Sequence, residues 1–527
     1  MVPFDRRQAL RRLADESFDV LVVGGGITGA GCALDAATRG LRVALVEAND
    51  FASGTSSKSS KLVHGGLRYL QNGEFRLVYE ALAERQILAK TAPHLVQMLP
   101  FLLPIFHDDG FMDRRLARGL GLAMWGYDLT GGFRYGKLHE RLSKTEALAR
   151  FPTLDAARLS YAYVYYDATA DDARLTLAIA RTASCYGAAV ANYASVQSLT
   201  HDRDGHVVGA TVAADGVTID VRAHVVINAG GVWSDRVRAM DRGAVAPLIR
   251  PAKGIHITVP RALIGNEIAA VLPVPGDKRT VFVVPWGDFT YIGTTDTEYD
   301  GNIDDPRCTD ADVSYLLRTI NASLTQPISR DDIVGAWAGL RPLVAASPSG
   351  SRRTRDLSRR HLVHTADSGL ITVTGGKLTT YRRMSEETVD RVIRSLGRHG
   401  HRCLTARVPL VGAENFDRRR ADSHFAPRFG TEAGAVLALT RQAGLERPLI
   451  PGLPYRRAEV VFAARHEMAR TVDDVLSRRT RARILARQAS VAAATDVAML
   501  LGAELGLSPE VQRAQVAAYR TRVGDAE

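Results

Sequence analysis

VLVVGGGITGAGCALDAATRGLRVALVE, residues 20–47, decides the fold. An apolar run at 20–23 meets Gly24, Gly26 and Gly29 in G-x-G-x-x-G spacing; Ile27 and Thr28 open a helical pattern. A second apolar run, 43–46, ends on Glu47. Each part has a physical role. Gly24 permits a tight strand-to-helix turn, Gly26 lets a pyrophosphate approach the backbone, and Gly29 lets the helix lie close on the sheet. The helix N-terminus offers unpaired N–H groups and the positive end of a dipole to phosphate oxygens. Glu47 stands about 20 residues on, where a carboxylate accepts both hydroxyls of an adenosine ribose. Strand, helix, second strand and terminal acid together predict a dinucleotide site rather than a merely steric glycine turn. FAD and NAD stay undecided at this point.

Two further strand-like runs end in glycine turns. His224–Asn228 leads into Ala229-Gly230-Gly231, and Leu370–Val373 leads into Thr374-Gly375-Gly376-Lys377. Between them, residues 255–295 alternate like antiparallel strands, with turns at Pro275-Gly276 and Trp286-Gly287. A plain NAD domain needs only the first turn, whereas three turns split by an antiparallel segment suit FAD, which is long and stays bound. The last turn can also set a helix N-terminus where it stabilises negative charge on a reduced ring. Helices are expected over about 74–90, 172–186 and 379–395, whereas residues 94–157 read as irregular. The tail beyond about residue 405 is mostly helical, rich in alanine and arginine, and reads as a separate domain.

A chain of 527 residues is too long for one core and should divide into two or three domains. Cys32, Cys185, Cys308 and Cys403 are scattered, which argues against a disulfide framework or a zinc site and fits a reducing compartment. No carboxylate pair or Cys/His cluster calls for a metal. The first 20 residues carry charges where a signal peptide needs an apolar core, and no window reaches the roughly 20 apolar residues of a membrane span. A cytoplasmic location is expected. The 68 basic against 57 acidic side chains give a net charge of +11, which suits nucleic acid, an anionic lipid surface or an anionic small substrate. No zinc-finger spacing, RNP-like motif or long Lys/Arg block supports nucleic acid.

Beyond these turns, the segments GTSSKSSKLVHGGLRYL, YYDATADDARL, INAGGVWSD, PAKGIHITVP, VFVVPWGDFTYIGTTD, GLRPL and VTGGKLTTYRRM give the chain a recognisable signature. It resembles the FAD-dependent glycerol-3-phosphate dehydrogenases, over residues 19 to about 385. EMARTVDDVLSRRTR at 467–481 looks like the same family's helical C-terminal domain. The resemblance implies an α/β and α+β architecture: a Rossmann-like FAD-binding domain, an antiparallel-sheet substrate domain as in amino-acid-oxidase-like flavoproteins, and an α-helical C-terminal domain. The expected division is 15–92, 158–250 and 335–400 for FAD, 93–157 and 251–334 for substrate, and 405–527 for the tail.

The implied substrate is sn-glycerol 3-phosphate, oxidised to dihydroxyacetone phosphate by hydride transfer to flavin N5, with electrons passed to a membrane quinone. Arginine grips phosphate through a planar fork that never deprotonates, and the family pattern carries substrate-binding arginines at Arg68, Arg341 and Arg355, with Arg352 and Arg353 as neighbours of the last. Tyr69, His256 and Lys377 complete the expected substrate set. His64, Arg341 and Lys377 are the candidate catalytic residues. Imidazole titrates near working pH and suits general base catalysis, but a lysine or arginine stabilising the alkoxide is an alternative to His64. The expected cofactor set is Gly24, Gly26, Ile27, Thr28, Gly29, Glu47, Ser56, Ser57, Ser60, Lys61, Leu62, Ala229, Gly230, Gly375, Gly376, Leu378 and Thr379, with the serines and Lys61 wrapping the pyrophosphate and ribityl chain.

Peripheral attachment to the inner face of the cell membrane is expected, through 111–136 or through a patch of Arg478, Arg479, Arg481 and Arg483. A buried substrate-domain element is an equal reading of 111–136; for the four arginines a solvated helical face is the plainer reading, and a homodimer contact a further one. Three rivals remain: an oxidase releasing peroxide, an amine or amino-acid oxidase, and a basic module without catalysis.

Overall fold

The computed structural model describes residues 4–66, 75–107, 138–243, 246–277, 279–345, 361–420 and 424–524. Arg68, Tyr69, Arg352, Arg353, Arg355 and segment 111–136 lie outside the described residues.

The sheet predicted from the opening segment is built on Ser17–Val23. Val43–Val46 lies parallel on one side and Val217–Asn228 on the other; Ala189–Ala191 and Ile371–Gly375 extend the two flanks. Val20 and Val22 pack into one apolar cluster while Leu21 and Val23 pack into another. The strand is thus buried on both faces, which is why it reads as a continuous apolar run. Val217–Asn228 shows both regimes: burial alternates along its first half, where it pairs antiparallel with Val207–Ala214. Its last four residues are fully buried, where it runs beside Ser17–Val23. Helix Ile27–Thr38 lies against helices Asp172–Cys185 and Tyr381–Ser395.

A second, mostly antiparallel sheet runs in the order Thr297–Glu298, Ile249–Pro260, Phe289–Gly293, Thr280–Trp286, Ala269–Pro273, Val96–Phe106, Leu159–Ala170, Leu62–Val63. Gly335–Val344 pairs along nearly all of Ile249–Pro260. The region expected to be irregular contains one of the long strands, Val96–Phe106, laddered to Leu159–Ala170 with a register shift between Ile105 and Phe106. Pro100 and Pro104 argue against a strand in the sequence, but residues four apart point their missing donors to one edge only.

The tail has a small apolar cluster of its own, Phe425, Phe429, Val436 and Phe462, but shares its larger one. Leu449, Val460, Leu476, Val497 and Tyr519 belong to one apolar cluster with Phe101, Tyr165 and Trp337 of the second sheet. Nor are the tail arginines solvated or gathered into a patch. Arg478, Arg479 and Arg481 are 6%, 3% and 2% exposed, each paired with buried carboxylates; Arg483 lies 3.7 Å from Asp473. Burial takes Arg478, Arg479 and Arg481 out of both the lipid-facing and the dimer-facing patch; Arg483 keeps a side chain 21% exposed. Among the described residues no helix is long and apolar enough to cross a membrane.

Candidate cofactor and substrate site

The three glycine turns converge as the strand order requires, at the carboxyl ends of Ser17–Val23, Val217–Asn228 and Ile371–Gly375. At the first, Gly24 has φ +114°, and a Cβ there would stand 2.6 Å from the Ala229 carbonyl oxygen. A Cβ on Gly29 would stand 1.9 Å from the Gly24 carbonyl oxygen. The Gly25 N–H donates to Glu47 Oε2 at 2.6 Å and the Asn49 N–H to Oε1 at 2.9 Å. Burial pushes the Glu47 pKa up, and these two N–H bonds oppose the shift. Ser56 Oγ accepts the Ile27 N–H at 2.9 Å and so stands at the helix N-terminus. At the second turn, Asn228 spans the bend: its Oδ1 accepts the Gly230 N–H at 3.1 Å while its Nδ2 donates to the Ser234 carbonyl at 2.9 Å. At the third, Gly375-Gly376-Lys377 leads into the short turn Leu378–Thr380, whose Thr379 Oγ1 accepts the His64 N–H at 3.2 Å.

The serine loop closes one wall. Thr55 Oγ1 donates to the Leu340 carbonyl at 2.6 Å, Trp337 Nε1 donates to the Ser59 carbonyl at 3.3 Å, and Ser60 Oγ lies 2.9 Å from His256 Nε2. Strand Gly335–Val344 also packs against Gly231–Trp233 and Ile371–Gly375, which makes it the hub where the two sheets meet.

His256, Gly293 and Phe282 stand in register across three strands, with Trp337 beside His256. The His256 ring stacks on Trp337 at 4.6 Å and 7°. Its pKa is pushed well below the usual range, first by burial and then by the charges of Lys61 and Arg341. It is therefore a neutral ring. His64 flanks the other end of the row, 6.0 Å from Phe282 between ring centroids. Its loop is pinned on the far side too, because the Gly65 N–H donates to Asp167 Oδ1 at 3.1 Å and Arg85 Nη1 grips the same oxygen at 2.5 Å. Arg341, opposite Ala252 on the hub strand, directs Nη1 to Asp296 Oδ1 at 3.1 Å and Nη2 to Thr294 Oγ1 at 3.2 Å. With its side chain 23% exposed, the guanidinium is held but not sealed.

One predicted contact is corrected. The Lys61 side chain does not wrap a pyrophosphate: it is fully buried, with Nζ 3.2 Å from Asp172 Oδ1, 3.2 Å from the Ser57 carbonyl and 4.6 Å from the centre of Trp337. Burial lowers its pKa to about 8. Leu62 is buried in the strand that follows. The signal for this pair is present in the sequence, since Asp171-Asp172 follows the YYDATA run; nothing local links it to a lysine 111 positions away.

A family model described as FAD dependent oxidoreductase matches residues 19–382, and one described as the C-terminal domain of alpha-glycerophosphate oxidase matches 403–512. The glycerol-3-phosphate dehydrogenase of Mycobacterium leprae is 40% identical over 99% of this chain and 90% of its own length. The chain belongs to the FAD-dependent glycerol-3-phosphate dehydrogenase family. The mitochondrial glycerol-3-phosphate dehydrogenase of Mus musculus is 39% identical over 93% of this chain and 71% of its own. The crystal structure of the glycerol-3-phosphate dehydrogenase from Bacillus halodurans, complexed with FAD, superposes with a TM-score of 0.79 at 30% identity, over 98% of this chain and 97% of that one.

The cofactor of this glycerol-3-phosphate dehydrogenase family member is FAD. The residues fit it: backbone stands where Cβ atoms at Gly24 and Gly29 would go, the Ile27–Thr38 N-terminus faces the same bend, and Glu47 closes the second strand.

Proposed function

We propose that the protein oxidises sn-glycerol 3-phosphate to dihydroxyacetone phosphate. What carries this reading is Arg341: a partly exposed guanidinium, aimed by Thr294, the Thr295 carbonyl and Asp296, on the strand that also carries Trp337 against His256. Its planar fork suits a phosphoryl group, and the relatives over the full chain share one named substrate. FAD, when bound, supplies the two-electron acceptor for the hydride leaving C2. The chain's own residues bind, orient and deprotonate. Arg341, with Lys377 and with Arg68, Tyr69 and Arg355 as further members of the set, binds the phosphate; His64 takes the C2 hydroxyl proton, and neutral His256 donates or accepts a hydrogen bond without changing charge. The decisive test is anaerobic bleaching of the yellow protein: glycerol 3-phosphate bleaches it and glycerol at the same concentration does not. Equal bleaching by both removes the phosphate grip from the reading.

The two histidines separate in a pH profile. His64→Gln lowers kcat about 10²- to 10⁴-fold and removes the acid limb of kcat/KM. His256→Gln leaves that limb in place, because a ring whose pKa lies well below 6.5 is already neutral there. Steady-state rates from pH 5 to 9 check both; an acid limb that disappears with His256 instead overturns the assignment of the base.

Electrons leave to a quinone at an anionic membrane surface in this reading, which the net charge of +11 favours. A second reading has its own observation, the match of residues 403–512 to the C-terminal domain of alpha-glycerophosphate oxidase; there the acceptor is oxygen and peroxide is released. Quinone reduction without peroxide, and co-sedimentation with anionic vesicles at low salt, support the first. Stoichiometric peroxide supports the second.

A further inference from the structure

One turn of the C-terminal region reaches two separate loops that wall the FAD site. Arg478 Nε donates to Asp50 Oδ2 at 2.6 Å; Arg479 donates to Asp50 Oδ2 at 2.8 Å and to Oδ1 at 3.0 Å. Asp50 lies three residues beyond Glu47, and on the same loop the Ala52 N–H donates to the Gly25 carbonyl at 3.1 Å. Arg481 turns to the other loop. Its Nη2 donates to the Ser57 carbonyl at 2.9 Å and to the Asp172 carboxylate. Asp172 Oδ2 in turn takes the Ser59 N–H at 3.0 Å and the Ser59 hydroxyl at 2.7 Å. That loop also presents Ser56 to the Ile27 N–H and Ser60 to His256.

Asp50 and Asp172 are 0% exposed, so every charge here is desolvated. Buried ion pairs add little stability over apolar contacts of the same volume, and the tail is already docked by the apolar cluster it shares with the second sheet. The apolar cluster therefore accounts for attachment without them. What apolar contacts cannot give is fixed direction, and charge-assisted hydrogen bonds do, most of all the two-point grip of Arg479 on Asp50. Arg481 also sits at φ +62°, a left-handed conformation unfavourable to a residue with a Cβ, and from there its guanidinium enters the serine loop.

We propose that Arg478, Arg479 and Arg481 are positioning residues for the cofactor: they hold the loops at both ends of the FAD site, so that the C-terminal region sets the affinity for FAD. The proposal rests on FAD as cofactor and not on the identity of the substrate. The test titrates full-length apoprotein with FAD, followed by quenching of flavin fluorescence, beside melting curves with and without saturating FAD. Arg481→Met weakens FAD binding about 10- to 100-fold, and Arg481→Lys recovers part of it. A lowered melting temperature with wild-type FAD affinity overturns the proposal and leaves the arginines as packing. Should Arg481→Met not fold, Arg479→Lys, which breaks the two-point grip on Asp50, weakens FAD several-fold; unchanged affinity in Arg479→Lys also overturns it. Because flavin fluorescence needs no turnover, these outcomes are independent of whether glycerol 3-phosphate is the substrate.

Discussion

Arg341→Ala lowers kcat/KM for glycerol 3-phosphate about 10³-fold, roughly 4 kcal/mol of lost binding in the transition state. The size follows from what the guanidinium does. It is aimed by Thr294, Thr295 and Asp296 before any ligand arrives, so little ordering remains to oppose binding. A dianion in a partly desolvated site loses its fork and keeps its charge when that side chain is truncated. The deficit falls mainly on KM if phosphate binding is uniform along the reaction, and on kcat if the grip tightens as C2 becomes trigonal. Arg341→Lys restores charge but not the planar pair of donors, and regains only part of the rate. FAD content stays at the wild-type level in both variants, since the Arg341 hydrogen bonds to Thr294, Thr295 and Asp296 lie outside the glycine turns. Steady-state kinetics with flavin absorbance measure all of this; a wild-type KM and kcat for Arg341→Ala would place the phosphate elsewhere.

Gly29→Ala yields a colourless protein. The added methyl carbon would lie 1.9 Å from the Gly24 carbonyl oxygen and 3.2 Å from the Ala229 Cβ, and the first of these is backbone that cannot rotate away. Relief requires helix Ile27–Thr38 to lift from the sheet, which carries its N-terminus away from the bend that receives the pyrophosphate. Overpacking of this kind costs about 1–3 kcal/mol or more, and for a chain of this length that lowers the melting temperature by about 1–3 °C. Flavin absorbance after purification and calorimetry with added FAD check the two parts separately. A yellow Gly29→Ala protein with an unchanged melting temperature would contradict the close approach.

The FAD-binding half is legible in the sequence because its signals are local. Val20–Val23, Gly24 and Glu47 carry strand, bend and acid within one segment, and each later glycine turn directly follows its own apolar run. Strand Val96–Phe106 is not legible, since its prolines look like breakers when only one edge of the strand lacks donors. The tail arginines mislead for a different reason. Asp50 lies 429 positions from Arg479, and Asp172 lies 309 positions from Arg481. A run of arginines on a helical pattern looks solvated until its carboxylates arrive through tertiary folding. The KSSKL run marks Lys61 as important without revealing what it binds, because its partner comes from the helix at 172–185. The same burial that hides this lysine from the cofactor explains its low pKa.

The apolar cluster shared by Phe101, Tyr165 and Trp337 with the tail helices has a consequence for how this chain can be cut and recombined. Neither partner in that cluster keeps its inner surface dry alone, so heating melts sheet and tail in a single calorimetric peak rather than two. A chimaera that borrows roughly the last 120 residues from a relative has to import the facing strand positions with them, or the seam opens to water.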